Sequence, residues 1–210
     1  MTLPTAAERA EGRAPASLTL FLALMTSVVA MTIDAVLPAL DAIAEDLAFA
    51  HPNDRQLVVL AVLLGMGLSQ PVFGTLSDGI GRRGAALLGW GVYLAGAALC
   101  LAAAGPEAML AGRFLQGFGA GGPRTVAVAI VRDLYEGRAM ARMLSLVMTV
   151  FMLVPMLAPL AGQGLEALAG WRAVFWAYGG LALLAAAWYL AAVPETLTEA
   201  RRRPLALRPV

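Results

Sequence analysis

The chain has 210 residues, 60% of them hydrophobic and 14% charged, against roughly 25% charged residues in an ordinary soluble domain. Its net charge is +1 and it contains no lysine, so no broad basic field invites nucleic acid. A water-soluble globular domain is excluded, and lipid is the expected solvent.

A bilayer core about 30 Å thick requires about 20 apolar residues in a helix. Six runs meet that demand, at about 17–40, 55–75, 85–104, 108–131, 142–163 and 171–193. The expected fold class is therefore an all-α membrane protein of six transmembrane helices over 17–193, with tails over 1–16 and 194–210. The connectors at 41–54, Ser77–Gly84, Gly105–Glu107, Arg132–Ala141 and Gly164–Gly170 are too short to fold alone. The first run exceeds the apolar core of a secretory signal, about 7–15 residues, and continues through Asp34 and Pro38, so a retained helix is expected. His51, beside Pro52 in the polar first connector, reads as a solvated side chain. The second run carries Gly65, Gly67, Ser69 and Pro71, and ends in the polar stretch GTLSDGIGRRG, Gly74 to Gly84. The third carries Gly89, Gly91, Gly96 and Cys100. The fourth holds Arg113, Gln116, the glycines 117, 119, 121 and 122, then Pro123 and Arg124. Small residues at this spacing let helix backbones approach in lipid. Pro155, Pro159 and Gly162 make the fifth run a candidate hinge, since proline removes a backbone donor and softens a helix.

Orientation follows from arginine. With the amino terminus inside, the cytoplasmic segments hold eleven arginines (9, 13, 82, 83, 132, 138, 142, 201, 202, 203 and 208) and the outer ones only Arg55 and Arg172. This asymmetry predicts cytoplasmic termini. A shift of about ninety residues sets Arg82 beside Arg172, a faint sign of an inverted three-plus-three repeat of the kind secondary transporters use.

Ionisable side chains at membrane depth cost at least about 2.5–3.5 kcal/mol each and call for a partner, a cavity or a role. Asp34 and Arg113 both fall about 8–9 Å below the outer edge at 1.5 Å per residue. They are expected to share a water-accessible hollow, Asp34 as a proton-binding carboxylate and Arg113 as its counter-charge, with Gln116 one turn on. Arg124 is expected to reach the inner headgroups. No catalytic signature is found: there is no His-Glu metal motif and no G-x-S-x-G elbow, so neither enzyme activity nor a metal or cofactor is expected.

Gly74-Thr-Leu-Ser-Asp78-Gly-Ile-Gly81-Arg82-Arg83 resembles the signature of the major facilitator superfamily between its second and third helices, G-x-L-x-D-x-x-G-R-[RK]. Arg113-Phe-Leu-Gln116-Gly117-Phe-Gly119 is similar to its fourth-helix signature, Val131-Arg132-Asp133-Leu-Tyr135 to the following loop of its drug:proton antiporter branch, and Pro194-Glu195-Thr196-Leu197 to its exit from the sixth helix. The fifth run, with Pro155, Pro159 and Gly162, looks like that of bicyclomycin- and chloramphenicol-resistance exporters. The resemblance implies a gating loop of Gly74, Asp78, Gly81, Arg82 and Arg83, in which Asp78 accepts from a helix amino terminus, and proton coupling through Arg113. It implies proton-coupled efflux of small amphipathic compounds across a bacterial-type inner membrane, with metabolite uptake or a non-transporting membrane scaffold as the alternatives. Family members have two six-helix halves. Six helices are expected to be one half, its complement being either a missing carboxyl-terminal half or a second copy of the chain.

Overall fold

The computed structural model describes residues 15–197, so most of both expected tails, with Arg9, Arg13 and Arg201–Arg203, lies outside the described residues. Its helices are α1 (Ala16–Asp34), α2 (Leu40–Asp46), α3 (Leu57–Ile80), α4 (Arg82–Leu101), α5 (Pro106–Leu134), α6 (Gly137–Ala169) and α7 (Arg172–Ala192). There is no strand among the described residues. Since α1, a 3₁₀ turn at Leu37–Ala39 and α2 form one span of 30 residues, the expected six spans are present.

The first span is broken, which its apolar sequence did not announce. Pro38 sits in the first turn of the 3₁₀ segment; it supplies no backbone N–H and disfavours helical geometry at Leu37 before it. The α-helix therefore stops at Asp34. Helical structure resumes beyond the turn, so the expected connector 41–54 begins as helix.

Elsewhere the helices overrun their apolar runs. The connector expected over Ser77–Gly84 contracts to Gly81, that over Arg132–Ala141 to Tyr135 and Glu136, and that over Gly164–Gly170 to Gly170 and Trp171. Helical hydrogen bonds are internal and persist outside hydrocarbon, so the end of apolarity marks the membrane edge rather than the helix end. Two of the helices are ended by glycines with positive φ, Gly81 (φ 93°) and Gly170 (φ 74°), a conformation open to glycine because it has no Cβ. Pro71, Pro123, Pro155 and Pro159 all lie inside unbroken helices.

The short links make neighbouring spans antiparallel. Gly81 and Gly170 consequently mark opposite ends of the bundle. Five spans are long and apolar enough to cross a membrane, and α5 is not among them. It carries Arg113, Gln116 and Arg124, and it is the helix most enclosed by its neighbours, packed along α3 and α4. The opposite case is α6, whose Met152 and Met156 are 72% and 70% exposed. The bundle is thus apolar outside and polar at its central helix, as expected for a protein dissolved in lipid.

Candidate functional site

Two polar centres lie within this bundle. The first surrounds Arg113, which is 0% exposed. Its Nε donates to the Val58 carbonyl at 3.2 Å, one terminal nitrogen to Gln116 Oε1 at 2.8 Å and the other to the Thr32 carbonyl at 2.8 Å. The Phe175 ring lies 5.6 Å away. The planar guanidinium fork suits such spread acceptors, and oxygens from α1, α3 and α5 share its charge.

Packing brings these acceptors within reach. A Cβ at Gly117 would run into the Val62 backbone of α3, and one at Gly119 into the Tyr93 backbone of α4. Glycine at both positions lets α5 lie close to its neighbours. Tyr93 then extends the network: its hydroxyl is 2.7 Å from Thr32 Oγ1, which also donates to the Val28 carbonyl at 2.7 Å. The Tyr178 hydroxyl of α7 reaches the Thr32 carbonyl at 3.5 Å. Gln116 is fully buried, and its amide nitrogen has no hydrogen-bond partner.

Asp34 is the last residue of α1 and is partly buried. No ion pair joins it to Arg113 among the described residues, so the direct counter-charge pairing read from the sequence is replaced by the carbonyl of Thr32. Arg113 grips the helix turn that presents Asp34. The physical reason is the break at 35–39: where the helix stops, a last-turn carbonyl without a helical partner needs a donor, and the guanidinium supplies it. Gly162 of α6 packs at the same break, where a Cβ would collide with the Ala35 backbone. Pro155 is exposed and Pro159 partly buried within the same helix.

The second centre lies at the Gly81 end. Arg82 opens α4 and is nearly buried; it donates to Asp133 Oδ2 at 2.9 Å and Oδ1 at 3.3 Å, to Asp78 Oδ1 at 2.6 Å and to Ser77 Oγ at 2.8 Å. The amino terminus of α4 is capped by Glu195. The backbone N–H groups of Arg82 and Arg83 donate to its two oxygens at 3.0 and 3.1 Å, which satisfies exposed helix donors with a negative charge at the positive dipole end. Asp78 lies one turn before Arg82 and is occupied by its guanidinium. Arg83 donates to the Leu190 carbonyl at 2.7 Å, and Thr196 to Asp133 at 3.3 Å.

A Cβ at Gly81 would come within 3.1 Å of the Glu195 carboxyl carbon, whereas one at Gly74 would meet nothing within 4 Å. Gly74 lies inside α3 and faces a cavity of about 370 Å³, also lined by Gln70, Arg124, Thr125 and Arg132. Arg124 contacts the Met66 sulfur at 3.8 Å and the Phe151 ring at 5.7 Å, so it packs inside the bundle rather than solely toward headgroups.

Sequence reasoning assigned no role to Thr32, Tyr93, Tyr178, Asp133 or Glu195. Asp133 and Glu195 stood within motifs, and a carboxylate directly past a span end was the available signal. Thr32 acts through its backbone carbonyl, for which a sequence holds no signal.

The multidrug resistance protein MdtL of Salmonella heidelberg (strain SL476) is 34% identical over 174 residues, which are 82% of this chain and 43% of that protein. The uncharacterized MFS-type transporter YdgK of Bacillus subtilis (strain 168) is 32% identical over 166 residues, 78% of this chain and 41% of that one. The chain thus spans less than half the length of these relatives. The crystal structure of the human organic anion transporter MFSD10 (TETRAN) superposes with a TM-score of 0.68 at 24% identity, over 90% of this chain and 50% of that one, and shares its fold. The Major Facilitator Superfamily family model matches residues 22–210, which takes in both polar centres and all but the first turns of the first span, and the chain belongs to that superfamily.

Proposed function

We propose that the chain is one six-helix half of a proton-coupled exporter of small amphipathic compounds, with both ends of the chain on the cytoplasmic side of a bacterial-type inner membrane. The eleven-to-two distribution of arginine supports that orientation, and the name of MdtL, a multidrug resistance protein, supports efflux of drugs. The relatives' greater length supports completion of the pathway by a second six-helix unit, from the remainder of a longer chain or from a second copy.

The observation that carries the proposal is the fully buried Arg113 bound to the Thr32 carbonyl, two residues before the unpaired Asp34. A charged Asp34 competes with that carbonyl for the guanidinium, and a protonated Asp34 does not. Proton binding thereby alters the hold of α5 on the broken helix, and Gln116 and Tyr93 rearrange with it. Substrate and proton alternate at this turn, while the Gly81 end, with Asp78, Arg82 and Arg83, holds the inner side of the bundle together.

The test uses everted membrane vesicles containing the chain, an imposed acid-inside pH gradient and a fluorescent amphipathic dye. Dye accumulates as long as the gradient lasts, and Asp34→Asn abolishes accumulation. Accumulation that ignores the gradient, or an Asp34→Asn variant with full activity, overturns the proton-coupling role. No accumulation by a chain whose helices are intact, with a carboxyl-terminal six-helix unit supplied in the same membrane, favours the non-transporting scaffold.

A further inference from the structure

The two ends of the bundle carry related polar clusters. At one end α4 opens with Arg82 behind Gly81 (φ 93°, ψ 161°); at the other α7 opens with Arg172, two residues beyond Gly170 (φ 74°, ψ 174°). Each arginine reaches an aspartate at the end of a helix from the other group of three spans. Arg82 meets Asp133, the last-but-one residue of α5, at 2.9 Å, and Arg172 meets Asp46, the last residue of α2, at 2.9 Å.

The correspondence extends to a backbone contact. Arg83 holds the carbonyl of Leu190 near the end of α7, while Arg172 holds that of Ala103 just past the end of α4, at 3.3 Å. Arg172 thus does alone what Arg82 and Arg83 divide between them. Trp171 replaces the missing second arginine: its indole Nε1 donates to the same Asp46 oxygen at 3.1 Å, and its ring lies 4.1 Å from the Arg172 guanidinium carbon. The arrangement matches equivalence of the third and sixth spans, and of the first and fourth, under an inverted repeat.

We propose that Asp46, Trp171 and Arg172 form a second latch, the inverted counterpart of the Arg82–Asp133 cluster, and that they are positioning residues for Asp34. Asp46 ends the short helix that follows the break, and the segment from Ala35 to Leu47 has no other ion pair to a distant span among the described residues, Asp41 pairing with Arg55 in the adjoining connector. Fixing Asp46 to α7 and, through Arg172, to the end of α4 fixes how far the outer piece of the first span can swing from Asp34. The latch itself rests on geometry alone; its bearing on transport rests on the function proposed above.

Hydrogen exchange of the full chain in lipid nanodiscs tests the latch independently of transport. Asp46 and Arg172 are 49% and 45% exposed, so the ion pair alone contributes little; Asp46→Asn also leaves the indole and the guanidinium one neutral, weaker acceptor to share, and exchange over residues 35–49 speeds up about tenfold. Exchange over 76–84, at the opposite end, is unchanged. Trp171→Phe, which keeps a ring but removes the donor, gives a smaller increase of about threefold. The charge-reversed pair Asp46→Arg with Arg172→Asp regains part of the protection lost by Asp46→Asn. In dye-transporting vesicles Asp46→Asn changes turnover more than KM. Unchanged exchange over 35–49 in both single variants, or an equal rise at the two ends, overturns the latch. A local exchange response with no dye transport by the unaltered chain, even with a carboxyl-terminal six-helix unit supplied in the same membrane, retains the latch and removes the exporter reading.

Discussion

Asp133→Asn removes one charge from the Gly81-end cluster with almost no change of shape. The Asp133 and Arg82 side chains are 14% and 9% exposed, and breaking a well-buried pair on one side costs about 3–5 kcal/mol. Two features reduce that figure here. Asp78 remains on the guanidinium at 2.6 Å, and the asparagine oxygen still accepts from Nε or from Thr196. Replacing charged acceptors by a neutral one then costs about 2 kcal/mol, or about thirtyfold in the folding equilibrium. Asp78→Asn removes a carboxylate that is 45% exposed and one helical turn from Arg82, a loss of about 0.3–1 kcal/mol. The double variant exceeds the sum of the two, because only then is the buried Arg82 left without any counter-charge. Unfolding of the chain in mixed micelles titrated with dodecyl sulfate measures all three. Equal costs for the single variants, or a larger cost for Asp78→Asn, refutes the assignment of Asp133 as the principal partner of Arg82.

Gly81→Ala destabilises by about 1–2 kcal/mol from the left-handed backbone alone, and more because its Cβ displaces the Glu195 cap; Gly74→Ala, in open space within a helix, is neutral or stabilising by about 0.5–1 kcal/mol, and the same micelle titration compares them. Arg113→Lys keeps the charge but loses the fork that spans Val58, Thr32 and Gln116, so dye transport in everted vesicles falls at least about tenfold. Full transport by the lysine variant refutes the geometric argument.

Six spans, their order and their alternation were legible in the sequence because lipid imposes one simple demand, an apolar run of sufficient length. Their boundaries were less legible. The helix ends at Ile80 and Ala169 are set by the positive φ of Gly81 and Gly170, whereas apolarity ceased several residues earlier. The candidate site divides in the same way. Residue type announced Arg113 and Gln116, since charge and amide groups are expensive in hydrocarbon, whereas Asp78 and Arg82 were announced by the resemblance of their loop to the family signature. Partners did not follow from type: depth along a helix can be estimated from sequence, but rotation about its axis cannot, so Arg113 was assigned to Asp34 and instead binds a carbonyl two residues away. Glu195 caps α4 from more than a hundred residues along the chain, a contact that no local reading of the sequence supplies.

The burial of Arg113 depends on residues with no side chain at all. An arginine 0% exposed in a lipid-dissolved bundle requires oxygen acceptors at hydrogen-bond distance, and besides Gln116 Oε1 on its own helix those it uses are backbone carbonyls of neighbouring helices. Ordinary helix spacing, about 8–10 Å between axes, keeps those carbonyls behind a layer of side chains. Gly117 and Gly119 remove that layer on two sides of α5, toward Val62 and Tyr93, and the break after Asp34 frees the Thr32 carbonyl on a third. The glycine row and the broken first span are therefore conditions for the buried charge rather than independent features of the sequence. A side chain at Gly117 moves α5 away from α3, lengthens the 3.2 Å contact between Arg113 and Val58, and leaves the charge to find water through the same break that presents Asp34.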